Sequence, residues 1–383
     1  MAWRSRRSTV ASGLLLLLLV AAGFDRHYRF FDMAIYQGAV GWWIRGGELY
    51  SYQAPVQGLL GFTYPPFAAL VLLPTALVPV GVAGWLNVLL SLLALALALR
   101  ALHRNVLPVV VFVAVLATEP VRQTLGLGQV NLVLFGLVVL DLAVLGRAGS
   151  RWTGIGVGVA TAIKLTPGLF IVYLLVTRRW RAAGTAAATV AALTASACLI
   201  APRETMQYFG DLMWRTQRVG AADAVANQSL SGLLARLSDS HTAPAFWWPA
   251  LSAVVLLVGL RRAAQAHGYG NEVAALALVG LTANLITPVA WTHHLVFLPV
   301  ALIALAGSRR RHCVGAAALC YALCVLSPIW WVDEGADGAV AFLAANTFVL
   351  MMIVLVWTLP VRHQDVARPV HWLPDNGLHT LRS

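Results

Sequence analysis

Long apolar segments recur along the whole chain and constrain its fold more than any other feature. Candidate membrane segments lie near residues 9–24, 66–80, 83–101, 106–117, 130–145, 153–176, 182–201, 246–260, 273–290, 294–306, 313–331 and 339–360. Several are shorter than the roughly 20 residues that a perpendicular crossing needs, so we expect some of them to be tilted or re-entrant. The pattern predicts an all-α polytopic membrane protein with about eleven or twelve hydrophobic helices.

The composition supports this class. Hydrophobic residues make up 60% of the 383 positions and charged residues 11%. A soluble domain this rich in apolar residues could not cover its own surface. We therefore expect residues 1–360 to form one transmembrane domain, followed by a polar tail at 361–383. The start, MAWRSRRS before a leucine run, resembles a signal peptide, but no soluble mature domain follows it, which favours a signal anchor.

The net charge of +12 does not indicate nucleic-acid binding, because the arginines cluster at the ends of apolar segments. Cytoplasmic loops of membrane proteins carry such an excess. This rule predicts a cytoplasmic tail, two outer loops at 25–63 and 202–245, and short interfacial helices within those loops. Segments 100–104 and 147–151 are both basic, yet the order of crossings does not allow both to be cytoplasmic unless one segment fails to cross. The sequence leaves that point open.

Asp32 lies in the first outer loop among Phe30, Phe31 and Met33. An apolar setting raises the pKa of a carboxyl group and suits it to proton abstraction. The alternative interpretation is that Asp32 caps a short interfacial helix, since aspartate is a favourable N-cap residue.

Lys164 is the single lysine among the 27 lysine and arginine residues, and it lies within the apolar segment ATAIKLTPGLF. Pro167 is expected to break the helix there. A compact ammonium group at a helix break is suited to binding a phosphate or a carboxylate. The alternatives are that Lys164 reaches the membrane interface or pairs with an acidic residue such as Glu119.

His293 and His294 occur in ITPVAWTHHLVFLP, which we expect at the outer end of a helical hairpin bent by Pro288. No further ligand appears at a spacing suited to a metal, so we predict no metal site and no cofactor. Hydrogen bonding to an anionic group is the favoured role. Interfacial histidines bonded to backbone carbonyls are the alternative.

Polar side chains in three further motifs are candidates for binding sugar hydroxyls, because amides, carboxylates and phenols form hydrogen bonds with such groups. The candidates are Tyr64 in FTYPPFAALVLLP, Glu119, Gln129 and Asn131 in ATEPVRQTLGLGQVNLVLFG, and Asn227 and Gln228 in VANQSLSGLL. The first motif is also typical of a turn that leads into a helix. Asn227, followed by Ser229, could instead be only a helix cap.

These motifs together, in this order between about residues 10 and 310, resemble glycosyltransferase family 87. Each motif alone is weakly specific, whereas six in the same order are strong. One departure is the threonine of TPVAWTHH, where the family commonly has serine. The resemblance implies the GT-C membrane fold, a donor sugar carried on a polyprenyl phosphate, and a glycolipid or lipoglycan acceptor such as a phosphatidylinositol mannoside. The usual reaction adds an α-1,2-mannose.

Carried over to this chain, the resemblance implies that Asp32 is the catalytic base of an inverting transfer at the outer face of the plasma membrane. In our hypothesis Lys164, His293 and His294 bind the donor phosphate. Alternatives remain open: an arabinofuranosyltransferase using a polyprenyl-phospho-arabinose donor, and a transporter or flippase of lipid-linked sugars. The absence of an internal repeat makes the transporter less favoured, since many transporters contain one.

Overall fold

The computed structural model describes residues 28–55, 60–102, 109–238, 240–308, 310–332 and 338–362. The predicted signal anchor and nearly all of the polar tail lie outside this range. The helices are α1 Phe31–Ile44, α2 Pro66–Leu72, α3 Val80–Leu102, α4 Val109–Leu116, α5 Glu119–Leu127, α6 Asn131–Leu140, α7 Ile155–Ile163, α8 Leu169–Val176, α9 Trp180–Ile200, α10 Pro202–Gly210, α11 Leu230–Leu237, α12 Trp247–Gly268, α13 Glu272–Ile286, α14 Leu298–Gly307, α15 Arg311–Leu326, α16 Ala339–Ala345 and α17 Thr347–Thr358.

Within the described residues, α3 and α9 are long and apolar enough to cross a membrane unaided. Two bent pairs pass the same test together: α4 with α5, bent by 70°, and α16 with α17, bent by 71°. Further apolar helices of 10–17 residues surround them. The prediction of an all-α polytopic membrane protein is confirmed, and the arrangement is consistent with the GT-C type.

The candidate segment 153–176 is a hairpin rather than one continuous helix. Helix α7 ends at Ile163, Lys164 has an extended backbone, and a short 3-10 turn at Thr166–Gly168 leads into α8. The two ends of the hairpin lie together, because the Arg181 guanidinium donates to the carbonyls of Gly149 and Ser150, at 3.0 Å each. The predicted break is confirmed, and Lys164 occupies the tip.

Basic segments that are distant in sequence meet at one end of the helix bundle. Arg147 donates to the carbonyl of Ala101 at 2.8 Å, which joins the end of α3 to the loop before α7. Arg179 pairs with Glu272 at 3.2 Å, which joins the start of α9 to the start of α13. Segments 100–102 and 147–151 therefore lie at the same end of the bundle. We call this the basic end.

Three helices connect the basic end of the bundle to its opposite end. Helix α13 starts beside Arg179 and finishes at Ile286, where it lines a large cavity. Helix α7 starts beside Asp141, close to the Arg147 loop, and finishes at Lys164. Helix α6 runs the other way, from Asn131 towards that loop. The fold thus separates Arg147 and Arg179 from the cavity that contains the candidate residues.

Candidate active site

A cavity of about 870 Å³ lies at the end of the bundle opposite the basic end. It is lined by parts of α1, α8 and α13, by the loop after α10, and by two short turns at Thr292–His294 and Pro328–Trp331. Of the candidate residues, the cavity is lined by Asp32, Tyr64, Gln129, Lys164, His293 and His294. Six candidate residues from five sequence motifs therefore converge on one space.

Asp32 lies in the first turn of α1, outside the candidate membrane-spanning helices. Its carboxylate does not cap the helix. It accepts a hydrogen bond of 2.6 Å from the Gln129 amide, and the Gln129 carbonyl oxygen accepts one of 2.8 Å from the Tyr64 hydroxyl. The Tyr64 hydroxyl in turn lies 2.9 Å from that of Tyr36. These hydrogen bonds orient the Gln129 amide so that its N–H group points towards Asp32.

Burial raises the pKa of Asp32 from 3.8 to about 6, although the Gln129 hydrogen bond and the charge of Lys164 act in the opposite direction. A carboxylate that accepts a proton near pH 6 is a better base than an ordinary aspartate and is still ionised at neutral pH. The carboxylate faces the cavity, so it can reach the hydroxyl group of a bound molecule.

A glycine in the segment before Gln129 allows this segment to lie close to the start of α1. Gly128, with φ of 73°, ends α5 in the left-handed region, and a Cβ atom there would lie 2.7 Å from the Cβ of Met33. Glycine adopts this conformation without the cost that other residues meet. The GLGQVN segment thus lets α1 approach closely and delivers Gln129 to Asp32.

Lys164 is held by the other amide of the same segment. Its ammonium group donates to the Asn131 carbonyl oxygen at 2.8 Å, and the Asn131 N–H group donates to the backbone carbonyl of His293 at 2.9 Å. The ammonium also lies 5.2 Å from the centre of the Tyr64 ring. Lys164 does not pair with Glu119, so the ammonium charge is available to an anion in the cavity.

The two histidines contribute differently from one another. His293 is 6% exposed, and its Nε2 atom has no hydrogen-bond partner among the described residues. The two imidazole rings pack edge to face, with 4.6 Å between their centres. A buried nitrogen without a partner carries a desolvation cost that a ligand atom would remove.

Four candidates for sugar binding do not reach the cavity with free polar groups. Asn131 uses its amide between Lys164 and His293, as described above. Glu119 is buried behind the wall and accepts from Arg122, Gln123 and Trp330. The amides of Asn227 and Gln228 are bonded to the backbone of neighbouring loops and of α17. These contacts indicate positioning and structural roles.

Other cavity residues were not singled out from the sequence. Gln123 and Trp330 line the wall beside His293, and Arg218 lines the wall formed by the loop after α10. The Arg218 guanidinium donates to the carbonyl of Phe62 at 2.7 Å and so ties the two long loops together. Gln123 lay within a quoted motif, one helical turn after Glu119, and that spacing was a usable signal. Nothing in the local sequence marked Trp330 or Arg218.

Comparisons with known proteins agree with the resemblance predicted from the motifs. The sequence profile of glycosyltransferase family 87 matches residues 62–288. A polyprenol-phosphate-mannose-dependent alpha-(1-2)-phosphatidylinositol mannoside mannosyltransferase of Mycobacterium tuberculosis is 32% identical over 309 residues, which cover 73% of this chain and 71% of the relative. No solved structure matches.

Two further relatives are named as polyprenol-phosphate-mannose-dependent alpha-(1-2)-phosphatidylinositol pentamannoside mannosyltransferases. The protein from Mycobacterium tuberculosis is 33% identical over 345 residues, covering 84% of this chain and 78% of the relative. The one from Mycolicibacterium smegmatis is 33% identical over 286 residues, covering 70% and 67% respectively. The family prediction is confirmed.

Proposed function

This chain belongs to glycosyltransferase family 87, and we propose that its cavity transfers a mannosyl residue from a polyprenyl phosphate to a glycolipid of the phosphatidylinositol mannoside type. The observation that carries the proposal is the meeting of Asp32 and Lys164 in one cavity, each held by an amide of the segment 129–131. The relatives' names favour mannose over arabinose and an α-1,2 linkage.

In the proposed reaction, the Asp32 carboxylate takes the proton of an acceptor hydroxyl group as that oxygen attacks the anomeric carbon of the donor sugar. The bond between the anomeric carbon and the phosphate oxygen breaks, and the polyprenyl phosphate leaves with the bonding electron pair. Attack opposite the leaving group inverts the anomeric configuration. General base action of this kind contributes typically about 10²–10⁴-fold to the rate.

Lys164 and His293 receive the charge that develops on the leaving phosphate. The donor diester carries one negative charge and the released monoester up to two, so a fixed ammonium group stabilises the transition state more than the ground state. The unpartnered Nε2 atom of His293 supplies a nitrogen that can form a hydrogen bond with a phosphate oxygen. His294 packs against His293 and supports its ring.

The apolar wall of the cavity supports a lipid-linked donor. Leu165 follows Lys164 directly, and Leu169 and Val172 lie one turn apart on α8; all three line the cavity. Leu165 is 39% exposed and Val172 40% exposed, so these side chains form an accessible apolar surface next to Lys164. A polyprenyl chain attached to a phosphate at Lys164 could lie along it, whereas the base and ribose of a nucleotide would meet no polar partner there.

The arginine cluster at the basic end supports an outer-face site in the plasma membrane. The basic end carries Arg147, Arg179 and Arg181, and the positive-inside rule places such an end in the cytoplasm. The cavity lies at the opposite end of α6, α7 and α13. Donor and acceptor would thus react at the external leaflet.

Purified protein reconstituted in liposomes tests the proposal. It is offered a phosphatidylinositol mannoside acceptor together with polyprenyl-phospho-mannose, polyprenyl-phospho-arabinose or GDP-mannose, and the products are identified by mass spectrometry. We expect a mannosylated product from the first donor alone, formed at least about 10²-fold more slowly by the Asp32→Asn variant. Transfer from GDP-mannose without a lipid carrier would overturn the donor assignment. Transfer of arabinose alone would show that the donor sugar is arabinose and not mannose.

A further inference from the structure

Two adjacent tryptophans on the turn Pro328–Trp331 face different surroundings. Trp330 lines the cavity, whereas Trp331 lines a separate apolar groove between α15 and α17. The exposed fractions are similar, 50% for Trp330 and 64% for Trp331. Among the described residues, a charged group holds the first of the two: the Trp330 indole N–H donates to the Glu119 carboxylate at 2.7 Å.

Glu119 is 4% exposed and does not line the cavity. Besides the indole, it accepts hydrogen bonds from the Arg122 guanidinium at 2.6 Å and from the Gln123 amide at 2.8 Å. Gln123 also accepts from the Thr292 hydroxyl at 2.6 Å. One buried carboxylate therefore fixes two cavity-lining side chains, Gln123 and Trp330, and connects them to the turn that carries His293.

A tryptophan at a wet surface samples several rotamers unless something holds it. Here a charge-assisted hydrogen bond fixes the plane of the indole, because the N–H group must point at the carboxylate. The ring can then present an apolar face to the cavity. The face of an aromatic ring carries partial negative charge and attracts the weakly positive C–H groups on one side of a pyranose ring.

We propose that Trp330 is the binding platform for a sugar ring of the acceptor glycan and that Glu119 is the positioning residue that orients it. This inference rests on the proposed function. In the proposed reaction the donor sugar lies between Asp32 and Lys164, which both line the cavity. The more exposed Trp330 is suited to a ring of the acceptor that extends away from the reacting hydroxyl group.

The test compares steady-state kinetics of Trp330→Ala, Trp330→Phe and the matched control Trp331→Ala. We expect Trp330→Ala to raise KM for the mannoside acceptor by roughly 3- to 10-fold, the usual contribution of one aromatic contact. Values of kcat and of KM for the donor should stay within about twofold. Trp330→Phe should recover part of the affinity, and Trp331→Ala should resemble wild type. A change confined to the donor KM, or an unchanged acceptor KM, would overturn the proposal.

Glu119→Gln tests the positioning role. It should raise the acceptor KM in the wild-type background and raise it less when combined with Trp330→Phe, because phenylalanine has no N–H group for residue 119 to hold, whereas Gln123 contacts residue 119 in both backgrounds. Equal effects in both backgrounds would exclude orientation through the indole. If Glu119→Gln fails to fold, the comparison of Trp330→Phe with Trp330→Ala still decides whether the ring binds the acceptor.

A binding assay separates this inference from the proposed transfer. Wild type, Trp330→Ala and Trp331→Ala are titrated with the mannoside acceptor in the absence of any donor. The Kd of each complex is measured by microscale thermophoresis. Weaker binding by Trp330→Ala alone supports the platform even if no mannose transfer is found. Equal binding by all three would contradict the platform even if the transfer reaction is established.

Discussion

Asp32 and Asp141 are both enclosed carboxylates in this bundle, but their partners differ. Asp141 accepts hydrogen bonds from the backbone N–H groups of Gly154 and Val157, at 2.8 to 3.0 Å, and so secures the start of α7. Asp32 accepts one hydrogen bond among the described residues, from Gln129, and faces the cavity. A carboxylate surrounded by backbone donors stabilises a fold, whereas one left open to a cavity is available for proton transfer.

The largest effect expected from this comparison is on turnover. Asp32→Asn should fold and insert normally but lower kcat by at least about 10²-fold, because an amide cannot act as the base. Asp141→Asn should do the reverse, since it places an N–H₂ group against backbone N–H donors. We expect a lower melting temperature in detergent and normal kcat per folded molecule. Near-normal activity of Asp32→Asn would remove this residue from the mechanism.

A second comparison concerns the cations at the two ends. Lys164→Met should lower kcat/KM by roughly 10²-fold, because removal of one preorganised group that stabilises transition-state charge has an effect of this size. Arg181→Gln, at the basic end, should leave kcat/KM unchanged, since its bonds join the loops at 149–150 to α9. Equal losses in the two variants would show that Lys164 has no special relation to the phosphate.

The smallest effects are expected from two glutamines that are both buried. Gln129→Ala should lower kcat by about tenfold, because it frees the Asp32 carboxylate to adopt other rotamers. Gln228→Ala should leave kinetics unchanged and cost about 1–3 kcal/mol of stability, because the backbone N–H groups of Phe348 and Val349 would lose their acceptor. An increase in acceptor KM for Gln228→Ala would restore its predicted role in sugar binding.

The sequence was informative wherever one residue had an unusual setting. A lone lysine in an apolar segment and an aspartate between apolar residues do not need a structure to be noticed, because charged groups in such places are costly. The break at Lys164 followed from Pro167. The break made a hairpin, however, and that depended on contacts between α7, α8 and α9 that no local pattern specifies.

The sequence was less informative about amides and tryptophans. Gln129, Asn131, Asn227 and Gln228 look alike as polar residues near apolar helices, yet hydrogen bonds to distant segments direct the first towards Asp32 and the last towards α17. Trp330 and Trp331 are neighbours with the same side chain, and the turn after α15 sends them to different surfaces. Long-range packing decides such cases, which explains why the motifs indicated Asp32 as a candidate but not Trp330.

The most direct test of the central claim is the pH dependence of kcat/KM for mannosyl transfer, measured in parallel for wild type and Asp32→Asn. Asp32 must be ionised to accept a proton, and its pKa is about 6. We expect wild-type kcat/KM to fall about tenfold for each unit of pH below about 6. The residual activity of Asp32→Asn should not fall in this way. An acid limb that survives unchanged in Asp32→Asn would show that another group takes the proton.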